Sequence, residues 1–143
     1  MEPQGVTRFP IFRVPSIQRL GFADGVAIWP LTAPSLDAGR IGDAAWVEYD
    51  VTLPEGARTV EIRALPAQRI HAGRGLRCAV ALNGGPARVF DLQADEGQGI
   101  WWRNILQGCV TCSVPYAADQ PRQAKLRVYL PDPGVVLQDV LVR

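Results

Sequence analysis

The chain closes on KLRVYLPDPGVVLQDVLVR, residues 125–143, a stretch that limits the possible folds more than any other. Apolar runs at 126–130 and 135–142 flank Pro131-Asp132-Pro133-Gly134. A proline ring fixes φ and removes a backbone N–H, so no helix runs through this point. Gly134 tolerates positive φ, and an aspartate in a turn bonds its own backbone, which is the role expected of Asp132. Val, Leu and Tyr129 on either side suit a pleated, half-buried surface. The two runs are therefore expected to be the final strands, paired with each other, so that the chain ends inside a sheet.

The same pattern recurs upstream. In residues 46–53, Val47, Tyr49, Val51 and Leu53 fall on one face and Trp46, Glu48, Asp50 and Thr52 on the other. Residues 59–65 alternate likewise, with Val60, Ile62 and Ala64 set against Thr59, Glu61 and Arg63. Residues 75–82 are apolar almost throughout except at Arg77, which suggests a strand buried on both faces. Asn83-Gly84, extended by Gly85-Pro86, is a strong hairpin signal, with 88–92 as the returning strand. Further strands are expected at 26–31 and 109–114, and one helical turn at 101–106, where Trp102, Ile105 and Leu106 share a side. Residues 32–45 and 66–75 read as long loops. Residues 11–20 space their apolar positions by three, but Pro15 makes an extended or irregular entry the better reading.

The expected fold is an all-β antiparallel β-sandwich of jelly-roll type, with eight or nine strands and no long helix. Its 12 prolines and 14 glycines supply the turns such a fold needs. Residues 1–14 are expected to be a loosely ordered N-terminal segment and 15–143 a single module, since 143 residues suffice for one core.

Charge excludes some partners. A net charge of +1, with scattered arginines, gives no basic field for nucleic acid or an acidic membrane. No apolar run reaches the roughly 18–20 residues of a membrane helix. The opening MEPQGVTRFPIF lacks the basic and apolar regions of a signal peptide.

Catalytic constellations are equally sparse. His71 is the 1 histidine, in a loop with Arg69 and Arg74, and there is no GxSxG for it to serve as base. Glu48 and Asp50 lie roughly 7 Å apart along one strand, a spacing that fits an inverting carboxylate pair and any solvated strand face equally well. Asp95 with Glu96 and Asp132 with Asp139 add nothing more specific. Cys109 and Cys112 form a CxxC, but within an apparent strand they read as two thiols rather than a redox or zinc site; Cys78 completes the set. No P-loop or GxGxxG is present, so no cofactor is expected. A structural calcium ion held by His71, Asp24, Asp37, Asp43 and loop carbonyls is left open, its donors too dispersed to argue for it.

The aromatic residues are the most suggestive group. Trp29, Trp46, Trp101, Trp102, Tyr49, Tyr116 and Tyr129 supply flat faces on which sugar rings stack, or else core. Trp46 lies on the polar face of its strand, so a surface or interface position is expected. Trp101 and Trp102 are adjacent, and an extended segment buries one of such a pair.

Several segments, in order, resemble the C-terminal domain of glycoside hydrolase family 115, the xylan α-1,2-glucuronidases. They are GFADGVAIWP from Gly21, WVEYDVTL from Trp46, VEIRALP from Val60, GLRCAVALNGGPARV from Gly75, the Trp102-to-Asn104 segment, and DPGVVLQDVLV from Asp132. Pro131, where an apolar strand residue is usual, and the Cys109-to-Cys112 strand depart from that pattern. The resemblance implies a β-sandwich appended to a larger enzyme that releases glucuronic or 4-O-methylglucuronic acid from xylan. In that family the catalytic carboxylates belong to a barrel domain, so no catalytic residue is carried over and the chain alone is not expected to be an enzyme. Extracellular or periplasmic location follows if the parent is secreted.

Two functions are expected from this. One is a non-catalytic module that supports a catalytic domain, provides an oligomer interface, or both. The other is an independent carbohydrate-binding module for glucuronoxylan or another plant polysaccharide. In the second, Trp101 or Trp102 together with Trp46 forms the platform and Arg69 or Arg74 meets a uronate.

Overall fold

The computed structural model describes residues 11–14, 25–28, 35–56, 58–66, 75–92, 100–116 and 121–143, with the backbone alone at 11–14, 25–28 and 100–102. These residues form β1 (Ile11–Val14), β2 (Gly25–Ile28), a 3-10 helix (Ala38–Asp43), β3 (Ala45–Thr52), β4 (Thr59–Ala64) and β5 (Arg77–Leu82). After them come β6 (Arg88–Asp91), α1 (Ile100–Gln107), β7 (Val110–Pro115), β8 (Gln123–Leu130) and β9 (Val136–Val142).

The pairing reads from the tip outward. The Asn83-Gly84 turn joins β5 to β6 as a hairpin, with Asn83 at φ 51° and Gly84 at φ 73°. Nested around that hairpin, β4 pairs with β7, β3 with β8 and β2 with β9, all antiparallel. Rolling this ribbon brings β5 beside β8 and β4 beside β9. Two sheets result, β1-β2-β9-β4-β7 and β3-β8-β5-β6. That order is a jelly roll of eight strands, with β1 added at the edge.

One expectation is corrected here. The closing strands β8 and β9 do not pair; β8 lies between β3 and β5, and β9 between β2 and β4 in the other sheet. The Pro131-to-Gly134 turn is a crossing between sheets, not a hairpin. The chain still ends inside a sheet, since the Arg143 N–H and carbonyl both bond to Thr59. Two smaller differences concern helices. The 3-10 helix stands within the expected loop at 32–45, and α1 runs two turns rather than one.

Alternation builds the core. Val47, Tyr49 and Val51 of β3 face Leu126, Val128 and Leu130 of β8 on the inner side of one sheet. Val60 and Ile62 of β4, Cys112 and Val114 of β7 and Leu137 and Val140 of β9 face them from the other sheet. Each fully buried Val or Leu contributes about 1.5–3 kcal/mol. Strand β5 is buried on both faces, as its sequence indicates: Cys78 and Val80 point into the core, while Ala79 and Ala81 are buried on the outer side. Cys78 and Cys112 meet between the sheets, and contact with Cys112 together with burial holds the Cys78 thiol well above its ordinary value. Cys109 is half-buried beside Thr111.

Candidate functional site

Two polar assemblies stand out among the described residues. The first is buried, at the end of the sandwich where β8 crosses to β9. Asp132 is 2% exposed. Its Oδ2 accepts from the Arg77 backbone N–H and Nε, both at 2.8 Å, and its Oδ1 from Arg77 Nη2 at 2.9 Å and from the Ser35 hydroxyl. Arg77 Nη2 also donates to the Leu36 carbonyl, and the Leu36 N–H to the Pro131 carbonyl. Burial alone would raise the Asp132 carboxyl; Arg77 and Ser35 reverse that and hold it below the usual carboxylate range. Asp132 therefore does not serve its own turn, as its local sequence suggested. It ties together three segments distant in sequence. With its lone pairs committed to Arg77 and Ser35, it is held as a structural anchor.

The second assembly is the outer face of the β3-β8-β5-β6 sheet, whose rows follow from register. Trp46 stands opposite Tyr129, Glu48 opposite Arg127, Asp50 opposite Lys125 and Thr52 opposite Gln123. On the other side of β8, Ala79 faces Tyr129 and Ala81 faces Arg127. Arg127 donates to Glu48 from Nε at 3.1 Å and Nη2 at 3.0 Å, and its guanidinium lies 3.8 Å from the centroid of the Trp46 ring. Burial would lower the Arg127 pKa, but hydrogen bonds to the Tyr129 hydroxyl and to Glu48 raise it. Lys125 Nζ reaches Asp50 at 3.0 Å and Glu48 at 3.7 Å. Its backbone N–H donates to Asn83 Oδ1 while its carbonyl accepts the Asn83 N–H, so the β5–β6 turn is fastened to β8.

A pocket of about 440 Å³ opens on this face, lined among others by Glu48, Ala81, Asn83, Lys125, Arg127 and Tyr129. Small residues make the depression. Ala81 gives a low floor and Gly84 and Gly85 a low rim, between the taller side chains of β8.

The sugar-platform residues expected from the sequence are only partly placed. Trp46 is half-buried on the outer sheet face, with Arg127 over its ring, and it is not among the pocket's lining residues. Trp101 and Trp102 lie in the first turn of α1, where the backbone alone is described. Arg69, Arg74, His71, Trp29 and Asp24 lie outside the described residues. No group of three or more His, Cys, Asp or Glu that could hold a metal occurs among the described residues. No helix described there is long and apolar enough to cross a membrane. Lys125 and Arg127 were not expected as site residues, and Tyr129 only as one of several aromatic candidates. The signal that could have found them is the matching alternation of 46–52 and 123–129, once the two strands are paired.

Jelly-roll topology, a packed core and a pocketed outer face define a compact β-sandwich module. Residues 13–143 match the model of the glycosyl hydrolase family 115 C-terminal domain, and the chain belongs to that family. Among solved structures it is similar to BtGH115A, a family GH115 4-O-methyl-α-glucuronidase with specificity for decorated arabinogalactans, with TM-score 0.61 and 23% identity. That match covers 70% of this chain and 13% of the glucuronidase. It is also similar to an exo-β-1,3-galactanase from Phanerochaete chrysosporium, with TM-score 0.55 and 15% identity over 97% of this chain and 27% of the galactanase. A family 35 carbohydrate binding module from Clostridium thermocellum matches with TM-score 0.53 and 12% identity over 99% of this chain and 90% of the module. No curated protein matches the chain.

Proposed function

We propose that this chain is a non-catalytic accessory module of a longer glycoside hydrolase, and that it supports the catalytic domain by packing against it. The observation that carries this reading is the match to a C-terminal domain over residues 13–143, in a chain that spans 13% of the glucuronidase it resembles. A place for the contact is supported by α1, where Leu106 is 86% exposed and the adjacent Ile105 41% exposed. Large aliphatic side chains standing side by side in water gain from being covered. The test is limited proteolysis of the parent enzyme carrying Leu106→Asp. Faster release of the module, with the melting temperature of the isolated chain unchanged, supports docking through α1. An unchanged release rate contradicts it. The same surface, presented to a second copy, would serve an oligomer instead, and sedimentation of the isolated chain separates the two.

A second reading, an independent carbohydrate-binding module for xylan or another plant polysaccharide, is favoured by the pocket on the outer sheet face. It combines an aromatic wall with convergent polar groups, the usual composition of a ligand site. Saturable binding of the isolated chain to plant glycans in affinity electrophoresis tests it. Neither reading requires a cofactor or a catalytic residue in this chain.

A further inference from the structure

We infer that the outer-face pocket takes a neutral sugar ring of a polysaccharide, seated over Ala81 against Tyr129, and that it is not a uronate site. This rests on the carbohydrate-binding reading and deepens it. About 440 Å³ lies within the range of small-ligand sites, roughly 300–1,000 Å³. Among the lining residues Tyr129 brings an aromatic ring and Ala81 a methyl group, surfaces that suit the C–H face of a pyranose. The rim offers both kinds of hydrogen-bonding group. Lys125 and Arg127 donate, Glu48 accepts, and the Asn83 amide does either. A sugar hydroxyl is donor and acceptor at once, so a mixed rim matches it better than a rim of one kind.

Charge decides against an acid. Lys125 and Arg127 balance Glu48 and Asp50, and each cation already faces a carboxylate within 3.0 Å. A uronate entering here would meet Glu48 and Asp50 as well as the two cations, and would only exchange one carboxylate partner for another with no net gain in attraction. A neutral ring needs no such exchange. It would find Arg127 already fixed by Glu48 on one side and by the Trp46 ring on another, so little side-chain freedom is lost on binding.

The test is an amide-resolved NMR titration of the isolated chain with neutral xylo- and galacto-oligosaccharides and with their glucuronic-acid-bearing counterparts. Shifts at Ala81, Asn83, Gly84, Gly85 and Tyr129 are expected with the neutral sugars. The acidic sugars should bind no more tightly, and added salt should leave the affinity unchanged. Tyr129→Ala is expected to weaken binding about tenfold, and Lys125→Ala, on an exposed side chain that leaves the fold intact, by a smaller factor. Shifts confined to α1, or binding that requires the uronate, would overturn the pocket assignment and leave the carbohydrate-binding reading standing. No shift with any glycan would overturn both.

Discussion

Arg77 with Asp132 and Lys125 with Asp50 are the same chemistry in opposite surroundings. Both pairs join a cation to an aspartate at 2.8–3.0 Å. The Asp132 side chain is 2% exposed and Arg77 13%, whereas Asp50 is 58% and Lys125 63% exposed. In the first pair Asp132 has no water to return to and Arg77 little, so the partners depend on each other and on Ser35 and Leu36. In the exposed pair water and salt compete at every moment, and both side chains stay available. The first is fitted to hold the sheets in one arrangement. The second is fitted to meet something else. Distance alone would not have separated these roles.

The largest effect expected is from Asp132→Asn, which leaves the largely covered Arg77 guanidinium without the carboxylate it donates to. Urea unfolding should show a loss of about 3–5 kcal/mol. Acid should mimic this variant. The folded-state pKa of Asp132 is lowered, so its contribution is complete above about pH 4, the unfolded carboxylate value, and is lost as pH falls through the lower folded value. Wild type and Asp132→Asn should therefore converge in stability at low pH, and a constant gap would break the comparison. Gly75→Ala comes next. Gly75 sits at φ +78°, and a Cβ there would run into Asp91 Oδ2, the carboxylate whose other oxygen accepts the Leu76 N–H. A loss of about 1–3 kcal/mol is expected, measured in the same way. Lys125→Ala should shift the unfolding midpoint far less than either, and not measurably in salt that screens the pair. The smallest effect is chemical. In the native state half-buried Cys109 should react with a thiol reagent first, while Cys78 and Cys112 react only on unfolding, which mass spectrometry of the labelled chain would show.

Much of the fold was legible because alternation is a local signal. The faces of β3 and β4, the double burial of β5 and the β5–β6 hairpin all follow from neighbours in sequence. The error at β8 and β9 has a physical reason. Pro131-Asp132-Pro133-Gly134 states that the chain turns, but not whether it returns to the same sheet or crosses to the opposite one. The crossing is fastened by Arg77, 55 residues away, which takes Asp132 as its partner. Both residues had shown themselves, Arg77 as the charge in an apolar strand and Asp132 between two prolines, yet nothing local joins them. The outer face was hidden for the same reason. Glu48 and Arg127 are 79 residues apart and become neighbours only through the β3–β8 register. Among the aromatics, Trp46 was placed correctly at a surface. Tyr129, seen as one of many flat rings, gained its position only from the β8 register, which sets it between Trp46 and Ala79 and at the pocket.

The most direct test is a pair of double-mutant cycles by denaturant unfolding, one on Arg77 and Asp132 and one on Lys125 and Asp50. The expected coupling in the first is about 2 kcal/mol or more, unchanged in high salt. In the second it is several-fold smaller and disappears with salt. Equal couplings, or a buried pair that salt weakens as readily as the exposed one, would contradict the division between anchor and open face.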